Sequence, residues 1–278
     1  MSGRRALVIG GGGVTGIAWA TGLLYGLEQM GVHLRQAERL VGTSAGSAVT
    51  AQLTGTLSLE ELYRRQIEGT VAELPGAMGV LGALHVAFPL LVRRDLKEAL
   101  RTVGRYSLSQ GSERAQARRS VIEQRVDGMG WDPERDLSIA AIDIDAGERT
   151  VFRAGGPASL TDAVEASCAV PGVWPVATIA GHRYMDGGVA SLANVDLAGD
   201  ANRVVVIAPL LRGMKSSGSP RVEFAALGRT GRVISPDAAA KAQLGSNPLD
   251  PAARVSSAKA GREQAAREAD RIRPVWGE

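Results

Sequence analysis

One cysteine, Cys168, three histidines and four lysines stand in a chain of 278 residues. A single cysteine excludes an internal disulfide framework and points to a reducing compartment, the cytoplasm being the expectation. Three scattered histidines and no second cysteine leave nothing with which to build a His/Cys metal site. Aromatics make up only 4% of the residues, and the arginines that form most of the basic complement are spread along the chain. A nucleic-acid partner, which needs clustered cations and rings for bases to stack on, is therefore not expected. The net charge of +3 still leaves attraction to anionic membrane surfaces or anionic substrates open.

Long clean hydrophobic runs are missing too. Ala6 to Leu27 carries no charge and follows Arg4-Arg5, in the manner of a signal peptide, yet seven of its residues are glycine. That suits a strand, loop and helix better than a helical leader. Leu74 to Val92 is also uncharged but is broken by Pro75, Gly76, Gly79, Gly82 and Pro89. It reads as a cap or lid or an acyl-chain pocket, with plain core as the equal alternative, rather than as a membrane span.

What is abundant is glycine, 35 residues, beside apolar runs. The apolar Arg4 to Ile9 predicts a buried first strand, followed by Gly10-Gly-Gly-Gly13-Val-Thr-Gly16 and a helix over Ile17 to Met30. Leu40-Val41 predicts a second strand running into Gly42-Thr-Ser44-Ala-Gly46, with a helix from Ala48. Small residues two before and two after a serine let strand and helix approach closely enough to hold that serine in a strained turn, its hydroxyl at the tip. Leu57 to Gly69 reads as a helix with Ser58 as its cap and Glu61 as the capping-box partner.

Further helices are expected around Arg93 to Val103 and Ser112 to Val126, a hairpin over Leu137 to Phe152 and a short helix over Thr161 to Cys168. A second hairpin is expected over Val176 to Met185, then a strand over Arg203 to Pro209, a polar mobile loop over Leu211 to Pro220 and a helix over Pro251 to Arg273. The length fits one domain, 1–278, with a motif-bearing core at about 6–210, a cap region at about 70–130 and the C-terminal helix at about 251–273.

The glycine loop admits three readings. Gly11-x-Gly13-x-x-Gly16 fits a dinucleotide fingerprint, but the second strand ends in Gly42-Thr-Ser44 where that fingerprint places an acidic residue. A non-catalytic or nucleotide-binding α/β protein using Gly11 to Gly16 is accordingly the alternative function. A tight turn without ligand is the second reading. The third is an anion cradle in which the N–H groups of Gly11, Gly12 and Gly13 hold the oxygen that turns negative when an ester carbonyl is attacked.

A nucleophilic serine needs a base. His33 lies in a polar loop, His85 in the apolar cap and His182 in a hairpin, and none follows Asp186 as the α/β-hydrolase order would require. Asp186-Gly-Gly188 offers a carboxylate on a rigid turn instead, where partial burial raises its proton affinity. Asp143-Ile-Asp145 reads as a strand-end turn, Asp196 as a capping or solvent-facing residue, and Cys168 as a small buried apolar side chain.

Taken in order, the Gly-rich loop, the Gly42-x-Ser44-x-Gly46 elbow and the Asp186-Gly-Gly turn resemble the patatin-like phospholipases, from about Leu7 to Pro209. Glu165-Ala-Ser-Cys-Ala-Val-Pro-Gly-Val173 is similar to the family's segment before its catalytic aspartate. The resemblance implies a three-layer α/β/α sandwich with a mostly parallel sheet. It also implies lipid acyl-ester hydrolysis by a Ser44–Asp186 dyad without histidine. Gly11, Gly12 and Gly13 would form the oxyanion hole, with the Ala45 N–H adding to it. No metal or cofactor is implied; the partner is a lipid or other ester, with peripheral membrane contact and oligomeric state left open. Thr15 stands where members often carry Arg or Lys, which leaves phospholipid, neutral lipid and small ester all open as substrates.

Overall fold

In a computed structural model, which describes residues 4–70, 73–213 and 218–277, eight strands form one mixed sheet. In chain order they are β1 (Arg5–Ile9), β2 (Arg39–Thr43), β3 (Asp136–Asp143), β4 (Glu148–Phe152), β5 (Ala177–Ile179), β6 (His182–Asp186), β7 (Arg203–Ile207) and β8 (Thr230–Ile234). Hydrogen-bonded neighbours run β5-β6-β3-β2-β1-β7-β8, with β4 also paired to β3. Pairs β1–β2, β1–β7, β2–β3 and β7–β8 are parallel, whereas β4 and β6 join β3 antiparallel.

The central strands are apolar on both faces because helices and irregular chain cover both. Leu7, Ile9, Val205 and Ile207 point into the larger core. Their alternates Ala6, Val8, Val204 and Val206 point into a second core closed by Val195, Ala198 and Phe224. The larger layer is built on α1 (Gly13–Gln29), α2 (Ala45–Thr54) and α10 (Arg254–Trp276). This is the expected α/β/α sandwich with a mostly parallel sheet.

The glycines that spoke against a leader find their use between α1 and α10. A side chain at Gly22 would run into the Ala258 carbonyl, and one at Gly261 into that of Trp19, so the two helices touch backbone to backbone. Helix α1 begins at Gly13, directly off the glycine loop, four residues before the expected start.

Helix α3 (Leu59–Glu68) is capped by Ser58, whose hydroxyl accepts from the Glu61 N–H. The reciprocal half of the expected capping box is replaced, because the Glu61 carboxylate turns to Arg64 and Arg65. The complete capping box is on α7 (Leu160–Ser167), between Ser159 and Asp162. The uncharged stretch yields α4 (Val80–Val92), followed by α5 (Leu96–Leu108) and α6 (Ala115–Val126). Helices α8 (Pro220–Leu227) and α9 (Ala238–Leu244), with β8 between them, were not anticipated from the sequence. Of the expected loop over Leu211 to Pro220, residues 214–217 lie outside the described residues. Among the described residues no helix is long and apolar enough to cross a membrane.

Candidate active site

Strand β3 brings the site together. On one edge it carries β2 up to the pair Thr43–Ala140. The next residue along, Ala141, pairs with Asp186 at the end of β6. Since Ala140 and Ala141 also pair with β4, β2 and β6 must share the opposite edge, and they run toward each other so that their C-terminal ends meet. The chain therefore leaves β2 at Ser44 where it leaves β6 at Asp186. The Ser44 Oγ donates to Asp186 Oδ2 at 2.6 Å, across 142 positions of sequence.

Ser44 has φ 53° and ψ −124°, a left-sided conformation that costs a non-glycine residue about 1–3 kcal/mol. Its surroundings hold it there. The Ser44 N–H donates to Ser167 Oγ at 2.8 Å, and the Ser167 hydroxyl in turn donates to the Ala140 carbonyl at 2.7 Å. The Ser44 carbonyl accepts from Ser47 Oγ at 2.6 Å, from the Ser47 N–H at 2.8 Å and from Cys168 Sγ at 3.2 Å. The two flanking glycines are sterically required: a methyl on Gly46 would land on the Ile9 carbonyl, and one on Gly42 on Thr50 Oγ1.

Asp186 is 4% exposed. Besides Ser44, it accepts from the Gly188 N–H at 2.7 Å through Oδ1, and its own N–H donates to the Ala169 carbonyl at 3.0 Å. Burial pushes its carboxyl up to about 6. The hydrogen bonds from Ser44 and Gly188 and the charge of Arg118 pull the other way and are outweighed.

Arg118, on α6, is buried with its guanidinium 4.4 Å from the Trp174 ring centre. Burial first, and then repulsion from Arg125, lowers it to about 10. Sequence reasoning missed Ser167 and Arg118. Ser167 was within reach, since it lies in the Glu165 to Val173 segment, but Arg118 sits in an arginine-rich helix with nothing local to single it out. Cys168 is buried as expected, yet it is a donor to the elbow rather than inert filling.

The glycine loop arrives beside Ser44, where a Cβ on Gly11 would lie 3.4 Å from that of Ser44. Its donors divide. The Gly11 N–H is taken by the Leu192 carbonyl at 2.8 Å, so Gly11 serves as close-approach backbone and not as an oxyanion donor. Gly12 and Gly13 open α1, and Ala45 opens α2, so the N–H groups of all three lie at helix starts where no carbonyl of the preceding turn can receive them. A cavity of about 770 Å³ opens against Gly12 and Thr15, with Arg212, Arg221 and Lys241 on its wall.

The histidines are elsewhere employed. His85 stacks on Tyr106 at 4.6 Å, His182 lies 3.1 Å from Asp143, and His33 precedes a single helical turn at Leu34–Gln36. Asp143 closes a turn by accepting from the N–H groups of Asp145 and Ala146, as expected of a strand end. Asp196 faces solvent and pairs with Arg149 at 2.6 Å.

The sequence model of the patatin-like phospholipases matches residues 7–198. The chain belongs to the patatin-like phospholipase family. Membership makes it a lipase-type enzyme acting on carboxylic esters. Among solved structures, this patatin-like chain resembles VipD from Legionella pneumophila at 12% identity and a TM-score of 0.52, covering 98% of this chain and 67% of VipD. It also matches full-length ExoU, solved with SpcU from the type III secretion system of Pseudomonas aeruginosa. There the identity is 16% and the TM-score 0.41, over 96% of this chain and 52% of that one. The patatin-like chain thus spans about two thirds of the first and half of the second, and the VipD likeness concerns the fold alone.

Proposed function

We propose that this protein is a serine acyl-ester hydrolase of lipids in which Ser44 is the nucleophile and Asp186 the base. The reading rests on one observation above the others: a strained, braced serine hydroxyl donating at 2.6 Å to a buried carboxylate of raised proton affinity. As Ser44 Oγ attacks the ester carbonyl carbon, its proton passes to Asp186 Oδ2. The carbonyl oxygen turns negative and is met by the N–H groups of Gly12, Gly13 and Ala45. The tetrahedral intermediate collapses, and the leaving alcohol takes the proton from Asp186. Water then gives its proton to Asp186 and attacks the acyl-serine, releasing the fatty acid and restoring Ser44.

The cavity beside Gly12, whose lining includes neither Ser44 nor Asp186, is the space assigned in this reading to the substrate's alcohol portion. Its cations offer a charge that Thr15 does not, which favours esters with an anionic head. We infer further that the described residues work as one acyl-hydrolase domain, because β7 pairs with β1 and α10 packs on α1 although both lie beyond the matched region. A reducing compartment suits the lone buried Cys168, and a peripheral encounter with a membrane suits the substrate.

Labelling with a fluorophosphonate, alongside hydrolysis of p-nitrophenyl butyrate, tests the assignment. Wild type should label and turn over; Ser44→Ala should do neither, and Asp186→Asn should lose at least about a thousandfold in rate. A folded Ser44→Ala protein that kept its activity would sink the reading. A melting temperature raised by NAD, NADP or ATP in a chain that does not label would favour the nucleotide-binding alternative.

A further inference from the structure

Helix α4 carries no Asp, Glu, Lys or Arg from Val80 to Val92, its one polar side chain being His85, and is apolar on two opposite sides. Its inner stripe, through Val86 and Leu90, packs with Leu100 and Val103 of α5 and with Met185, the residue before Asp186. Its outer stripe has no partner among the described residues. Val80, Leu81, Leu84, Phe88, Leu91 and Val92 are 80%, 73%, 55%, 64%, 65% and 56% exposed. Their spacing places them along one helix face. Six large apolar side chains held together in water form the kind of patch that marks a docking surface.

The residues just past the helix indicate the occupant. Arg93 and Arg94 are exposed at its C-terminal end and make no ion pair with any described residue, whereas nearby Lys97 is paired with Glu148. The six outward side chains present carbon alone. A protein partner would be expected to exchange about one hydrogen bond per 100–200 Å² with the face it covers. Acyl chains ask for none, and phosphate headgroups ask for the cations that flank them. Thirteen helical residues measure about 20 Å, too short to cross a bilayer and suited to lying in its surface.

We propose that α4 and Arg93-Arg94 form the docking surface by which the enzyme binds an anionic lipid bilayer, the apolar face entering the acyl boundary and the guanidinium groups meeting the phosphates. This names the partner of the acyl-hydrolase site assigned above and rests on that assignment. Because the inner stripe and Met185 share one buried cluster, docking brings the Asp186 strand toward the interface, where long-chain esters are found.

The test is sedimentation of the Ser44→Ala protein, which leaves the lipid intact, with vesicles of phosphatidylcholine alone or mixed with phosphatidylglycerol. The protein should bind the anionic vesicles, and adding Leu84→Ser with Phe88→Ser should weaken binding at least about tenfold. Arg93→Gln with Arg94→Gln should weaken it about thirtyfold on the anionic vesicles and leave the neutral ones unaffected. With Ser44 restored, Leu84→Ser with Phe88→Ser should hydrolyse p-nitrophenyl butyrate at the wild-type rate, which shows an intact fold and site. Phe88→Trp gives a direct reading: the emission of the introduced indole should move to the blue on vesicles and be quenched by brominated acyl chains. Undiminished vesicle binding by the Leu84→Ser, Phe88→Ser protein, or an emission from the Phe88→Trp protein indifferent to vesicles, would overturn the proposal. So would a dimer that the same serine substitutions convert to monomer in a protein that ignores vesicles. Vesicle binding by a chain inert toward p-nitrophenyl butyrate would remove the hydrolase assignment and leave the docking surface standing.

Discussion

Ser167 holds Ser44 from beneath, its hydroxyl accepting the Ser44 N–H at 2.8 Å while donating to the Ala140 carbonyl at 2.7 Å. One small side chain from α7 thus ties the elbow to the strand whose neighbouring residue, Ala141, registers Asp186. Ser167 touches none of the reacting atoms. In the proposed mechanism it is a positioning residue.

Replacing Ser167 with Ala strands a buried donor and a buried acceptor, at about 1–3 kcal/mol of stability. A small displacement of the hydroxyl should lower kcat by about tenfold to a hundredfold with KM unchanged. Steady-state kinetics on p-nitrophenyl butyrate, with the fluorophosphonate labelling rate, separates this from plain loss of folded protein. Loss of activity matching only the loss of folded protein would deny Ser167 the role.

Burial holds the Asp186 carboxyl at about 6, and its ionised form is the one that accepts a proton. The profile of kcat/KM should therefore rise with pH through about 6 and level off above it. Arg118 is the positive charge that pulls this carboxyl down, so Arg118→Gln should move the limb upward. A limb that stays in place would remove Arg118 from the electrostatics of the site.

The same shift has a stability signature. A carboxyl that binds its proton more tightly in the folded chain destabilises the fold once ionised. Its stabilising share is full below the unfolded value of about 4 and is lost as pH climbs through about 6. Asp186→Asn escapes this, so the unfolding free energy of the variant relative to wild type should improve by about 3 kcal/mol from pH 3 to pH 8. Urea titrations at both ends measure it, and a difference independent of pH would contradict the raised value.

Gly46→Ala should fail for steric reasons alone. Its methyl would occupy the Ile9 carbonyl, and overpacking against backbone has no side chain to yield. A cost of about 3 kcal/mol, or a fall in Tm of about 10 °C, is expected. Calorimetry showing a wild-type Tm would mean that strand and helix do not need this contact.

Much of the molecule was legible from local chemistry. Apolar runs such as Ala6 to Ile9 and Val204 to Ile207 could only be buried strands, and Gly42 and Gly46 around Ser44 announced a tight elbow, because these are contests among neighbouring atoms. The helix ends were less legible. Ser58 captured the Glu61 N–H, but the Glu61 side chain was drawn off by Arg64, a competition between two partners that pattern alone does not rank.

Short-range sequence was enough for the buried strands, the strained turn and the glycine loop, since each depends on residues only a few positions apart. Tertiary structure alone decided that a hydroxyl and a carboxylate 142 positions apart meet on one edge of β3. It also took the Gly11 N–H for Leu192, buried Arg118 near the carboxylate and left one side of α4 facing water. Those outcomes turn on strand register and on which surfaces find a partner, and both are settled by contacts between parts of the chain that carry no information about one another until they pack.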